Sequence, residues 1–352
     1  MVVTIQELLY DRVLDITAVI NIPLKLFAIY VVVKHTPPPL RHYSFFILNT
    51  MIWNFLANFI YAFYHLVPMF PALCYRVDGM SSLFVDSELF GHLVYFLVFI
   101  SVNHFGLALC FAFPHRYIVF AHPKLAARIR PAWVFGLCGG VHVSLVLFAL
   151  IYYPATNAWN FSYDDYPNKA QLPDRPFVFC FNPNGAPNAI FDITYTMGSI
   201  VAILIIVVSS LLFLQKVKTM KVQIVHDATL NLQKKVFASL LTLTAIAALF
   251  YCVPVVIFQY EAIFPGTPYS QKTAMICIAI LSNHGSVAAI AYLLFFKAYR
   301  DAVRRIFSNL IATLTGRKSR VQSIVIKSSS LASQTACSSI HFNQLNNTQN
   351  VQ

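Results

Sequence analysis

The chain has 352 residues, 58% hydrophobic and 11% charged, with a mean hydropathy of +0.65 and a formal net charge of +12. Soluble domains run nearer a quarter charged, so an ordinary soluble globular protein is excluded, and the absence of alternating ~10-residue strands excludes a membrane β-barrel. The basic residues sit in short loops between long apolar runs, which argues against nucleic-acid binding and for a helical integral membrane protein.

Residues 1–12 carry Glu7, Asp11 and Arg12 and lack the basic stretch and small-residue cleavage site of a removable signal peptide. They predict a short extracellular N-terminus before an uncleaved first span at 13–33, which holds Asn21, Pro23 and Lys25. Lys25 lies roughly 12 Å from the inner boundary at 1.5 Å per residue. Either its stem snorkels that far or it meets a polar group inside the bundle. Three prolines, Pro37 to Pro39, stop the helix in the loop 34–41.

The second span, 42–67, carries Asn49, Trp53, Asn54 and Asn58, and the loop 68–88 contains Cys74, Arg76, Asp78 and Asp86. The third span, 89–120, exceeds the ~20 residues a bilayer requires and ends through Phe113-Pro114-His115-Arg116-Tyr117. A basic loop, 121–131, leads to the fourth span, 132–153. The longest internal loop, 154–188, holds six prolines, Asp164, Asp165, Asp174, Cys180 and the glycosylation sequon Asn160-Phe161-Ser162.

The fifth span is 189–214, followed by a basic connector, 215–235. The sixth, 236–260, contains Pro254, whose missing N–H predicts a kink. The seventh is 273–296. Residues 297–314 read as an interfacial helix and 315–352 as a polar, disordered cytosolic tail, where phosphorylation of its many serines would add negative charge. The expected architecture is an all-α membrane protein in which 13–296 form one bundle of seven transmembrane helices.

Nineteen Lys and Arg fall on the side of the C-terminal tail and five on the other, whereas eleven of the 13 acids fall on that second side. The positive-inside rule then places the N-terminus outside and the C-terminus in the cytosol. Asn160 is on the outer side in this scheme, as are Cys74 and Cys180. A Cys74–Cys180 bridge would close a loop of about 100 residues, worth roughly 4–5 kcal/mol in the chain-entropy model; two free or differently paired thiols are the alternative. Cys110, Cys138, Cys252 and Cys277 lie in apolar runs and read as packing residues.

No Cys/His spacing of a metal site occurs, and no HExxH, GxSxG or phosphate loop, so neither a metal, a cofactor nor an enzyme activity is expected. What remains are polar residues inside the spans. Asn103 and His104 in the third span, Ser282, Asn283 and His284 in the seventh and His142 in the fourth are the expected ligand pocket. The alternative for each is an interhelical hydrogen bond, worth about 0.6 kcal/mol on average. Arg116 stands apart because it is embedded in apolar sequence at the inner end of the third span.

Several short stretches, in this order and spacing, resemble the nematode serpentine chemoreceptors of class H, with the neighbouring class I a close competitor. They are Pro23, Ala28, Tyr30 and His35-Thr36-Pro37; Leu48-Asn49 with Trp53; Phe113 to Tyr117; Thr229 with Leu232 to Lys235; His284-Gly285; and Tyr299-Arg300. Pro114-His115 replaces an acidic-polar pair that precedes the arginine in that family. The resemblance implies a GPCR-like receptor in the plasma membrane of sensory-neuron cilia, taking a small-molecule ligand and a heterotrimeric G protein as partners. It points to Arg116, Tyr117, Lys234, Lys235 and Arg300 as coupling residues. A seven-span transporter or channel is the alternative; it requires a polar path with ionisable residues near the midplane.

Overall fold

The computed structural model describes residues 4–37, 41–79, 87–155, 178–181, 186–223, 242–264 and 266–315. Among the described residues seven helices are long and apolar enough to cross a membrane: α1 Ile5–His35, α2 Arg41–Tyr64, α3 Glu88–Ala121, α5 Pro131–Ala155, α6 Ala186–Gln223, α7 Thr242–Ile263 and α8 Ser270–Phe295. A short helix, α4 Pro123–Arg128, joins α3 to α5, and α9 spans Lys297–Leu314. The chain divides into two compact units, Met1–Tyr299 and Arg300–Gln352. The first holds the seven spans. In the second, α9 continues with Arg305 Nε donating to the Asp301 carbonyl at 3.3 Å.

Local sequence explains most helix ends. The Thr4 hydroxyl accepts the Glu7 N–H at 3.3 Å and caps α1. At the other end Thr36 is the C-cap, immediately before Pro37. The helix starts at Ile5 rather than at 13, because its first turns are anchored by tertiary contacts that hydropathy does not register. Tyr10 Oη donates to the Leu66 carbonyl at 3.0 Å, and Glu7 accepts from Arg76 Nη2 at 3.1 Å.

Those partners belong to a small antiparallel sheet of β1 Leu66–Pro68, β2 Cys74–Val77 and β3 Val178–Cys180, in the order β1-β2-β3. Cys74 lies opposite Cys180 in the register, and the two form a disulfide. The expected second span, 42–67, therefore gives up its last residues to β1. Arg76, 1% exposed, is held by the carboxylates of Asp78 and Glu7. Burial alone would lower its pKa; the hydrogen bond and charge of Asp78 and those of Glu7 outweigh burial and raise it.

At the end of α3 away from the sheet, Arg116 meets Tyr292 of α8. Between the two ends, Phe105, Leu109, Phe113, Ile206 and Tyr251 form an apolar core joining α3, α6 and α7. In α7 a π-helical turn, Ala248–Cys252, directly precedes Val253 and Pro254. The helix thus absorbs its proline through an extra residue in one turn. Leu137, Leu147 and Ile151 on α5 and Leu204 and Leu211 on α6 are exposed, an apolar exterior suited to lipid.

Candidate ligand cavity and the buried arginine

Two places in the first unit carry the polar chemistry. The first is a cavity of about 150 Å³ beneath the sheet, among α2, α3, α6, α7 and α8. Tyr61, Tyr75, Tyr95, Phe99, Phe105 and Phe258 supply most of its wall. Among the described residues its polar lining consists of tyrosine hydroxyls, Asn54, Asn58, Thr196, Gln259 and Ser282, with no ionised side chain. Gln259 Nε2 is oriented by the Ser199 hydroxyl at 2.9 Å, and Asn58 Nδ2 donates to the Ser282 carbonyl. An enclosure of this size holds a molecule on the scale of benzene. Its aromatic wall and few amides and hydroxyls suit a small, neutral, largely apolar compound with one or two hydrogen-bonding groups.

Of the six expected pocket residues Ser282 lines this cavity, and Asn103, His104, His142, Asn283 and His284 do not. Asn103 Nδ2 is turned back to the Phe99 carbonyl of its own helix at 2.7 Å. His104 is fully buried at the α2–α3–α5 junction. It stacks on Trp53 at 4.1 Å, and its Nδ1 lies 2.5 Å from Nδ1 of His142, whose Nε2 is 3.3 Å from Asn49 Nδ2. Asn283 accepts from Asn21 Nδ2 at 3.3 Å and reaches Thr17 at 3.5 Å, tying α8 to α1. His284 packs edge-on against Phe105 at 4.9 Å. The signal that does find the cavity is the i, i+4 pair Asn54 and Asn58, which puts two amides on one face of the second span.

The second place is Arg116, 6% exposed at the end of α3. Its Nη2 donates to Tyr292 Oη of α8 at 2.7 Å, and its guanidinium lies over the rings of Phe113 at 5.2 Å and Tyr292 at 5.8 Å. Tyr292 thus stands where the missing acidic neighbour would hold the arginine. His115, in the replaced pair, packs on Phe46 at 4.2 Å. Tyr117 is half-buried, with its hydroxyl 3.5 Å from His122 Nε2. At the same end Tyr299, fully buried, meets the Thr36 hydroxyl at 3.0 Å, joining two of the short stretches noted in the sequence.

Arg300 falls in the second unit. Lys234, Lys235 and Asn160 lie outside the described residues. Among the described residues no group of three or more His, Cys, Asp or Glu is placed to hold a metal.

A family model described as serpentine type 7TM GPCR chemoreceptor Srh matches residues 6–309. No curated protein matches the chain.

Proposed function

The chain belongs to the Srh family of serpentine seven-span chemoreceptors, and from that premise we propose that it signals through a heterotrimeric G protein when a small environmental molecule enters the cavity beneath the sheet. The charge asymmetry of the loops places the sheet end outside and the Arg116 end in the cytosol. The receptor then works at the plasma membrane, in sensory-neuron cilia, with Asn160 glycosylated on the outer side.

In this reading α3 and α8 carry the signal, because both reach the cavity and both reach the arginine. Phe105 and Ser282 line the cavity; Arg116 and Tyr292, on the same two helices, meet at the other end. The Arg116–Tyr292 contact is the single observation that supports the coupling role most directly. It is a hydrogen bond with one cation–π contact, weak enough to be exchanged. A ligand favouring a packing in which α3 and α8 separate there would release Arg116 toward the G protein. The π-helical turn in α7, which contributes Tyr251 to the cavity wall, is the natural place for the bundle to bend. Tyr117 belongs to the same end of α3, and Lys234, Lys235 and Arg300 are coupling residues on the family resemblance alone.

The test is expression with a calcium or cyclic-nucleotide reporter against a panel of small neutral compounds. Arg116→Ala abolishes the response while surface expression stays intact. Tyr292→Phe raises basal signalling, because it removes the hydrogen bond and keeps the ring. A normal response from Arg116→Ala would remove the arginine from the mechanism.

A further inference from the structure

We propose that the bundle core holds a small inorganic anion of the chloride class at Lys25, in a site enclosed by α1, α2 and α8 and separate from the ligand cavity. Lys25 is 2% exposed, and its Nζ makes no hydrogen bond among the described residues. A cation taken out of water into a helix bundle requires a partner of opposite charge or a set of hydrogen bonds. Among the described residues the ion pairs involve Glu7, Asp11, Asp15 and Asp78, and none reaches Lys25. The nearest acid on its own helix, Asp15, is about 15 Å away at 1.5 Å per residue.

The side chains around Lys25 share its condition. Asn54 Oδ1, Ser282 Oγ, Ser286 Oγ and both ring nitrogens of His284 are buried and have no hydrogen-bond partner among the described residues, although the four side chains' residues are 2–4% exposed. Ser282 and Ser286, four residues apart, share one face of α8, whereas His284 lies on another face, against Phe105 and Tyr251. Asn21, one turn before Lys25 on α1, donates to the Ser282 carbonyl at 3.3 Å. Gly285 touches the Asn54 side chain so closely that a Cβ there would collide with it. α1 and α8 both run from the Asn21–Ser282 contact toward the end where Thr36 meets Tyr299, so Lys25 and Ser286, each one turn further on, stand at the same level.

An ammonium, two hydroxyls and an amide that presents either N or O by a flip make a donor set. Donors without acceptors are what an anion satisfies. The side chains are almost fully buried, which favours a compact ion, and Asn54 and Ser282 also line the ligand cavity.

The test is thermal unfolding of the full chain in nanodiscs, with chloride exchanged for gluconate at constant ionic strength. The midpoint rises saturably with chloride, as linkage requires of a ligand bound only by the folded state. Lys25→Met, which replaces the buried cation by an apolar chain of similar length, unfolds independently of chloride. Ser286→Ala, a milder change, shifts the half-maximal chloride concentration upward about tenfold, the effect of one hydrogen bond to a charge. A midpoint of the wild-type chain that ignores chloride, or a chloride response retained by Lys25→Met, overturns the proposal. So does stabilisation by acetate where chloride has none, which would assign the site to a carboxylate.

Discussion

At Gly285 the distance between α2 and α8 depends on a missing Cβ. Any side chain at that position meets Asn54, so the two helices approach as only small residues allow. Gly285→Ala is expected to destabilise the bundle by about 1–3 kcal/mol through overpacking. Asn54→Ala in the same chain restores part of that loss, and thermal unfolding of the double-mutant cycle measures it. A loss unchanged by Asn54→Ala would mean that the glycine matters for another reason. His284-Gly285 is legible in the sequence as a short motif, but its reason is not, since Asn54 is 231 positions away in the numbering. Arg116 shows the same division. Its oddity is plain in an apolar run, whereas its partner Tyr292, separated by 176 positions, is one of 18 tyrosines with nothing local to mark it. Asn103, His104, Asn283 and His284 meet their own helix, a neighbouring helix or the core instead of the cavity, a distinction that hydropathy cannot draw.

Elements were legible to the degree that they are long and apolar. The spans are visible because a bilayer demands sustained hydrophobicity, and their ends because Thr36-Pro37 is a local stop. The sheet was not visible: β1 and β3 have three residues each and β2 four, all buried, so no alternation marks them. Two predictions belong to this element. Cys74→Ser and Cys180→Ser are each expected to cost about 4–5 kcal/mol by the loop-closure estimate, and the double variant no more than either alone. Unfolding midpoints of the three chains check this; additive losses would show that the thiols act separately. Arg76→Met leaves Glu7 and Asp78 without their buried partner and is expected to lose about 3–5 kcal/mol. Midpoints equal to wild type would mean that solvent replaces the guanidinium at no cost.

For the whole molecule, the charge distribution says more than any single site. Nineteen basic residues on one side and most acids on the other bias insertion in one direction. In the proposed orientation that bias turns the cavity toward the outside and Arg116 toward the cytosol. The seven spans and the family follow from sequence length, hydropathy and motif order, because those are properties of the chain read along itself. The cavity wall does not, because residues from α2, α3, α6, α7 and α8 meet there only after folding. The receptor reading and the transporter reading differ in what crosses the membrane, information or matter. Reconstitution of the purified chain in liposomes with a heterotrimeric G protein on the Arg116 side separates them. With a compound that activates the cellular reporter, the account predicts faster nucleotide exchange on the G protein, lost in Arg116→Ala, and no flux of the compound or of ions. Flux or current in liposomes without any G protein, with no effect on exchange when one is present, would contradict it.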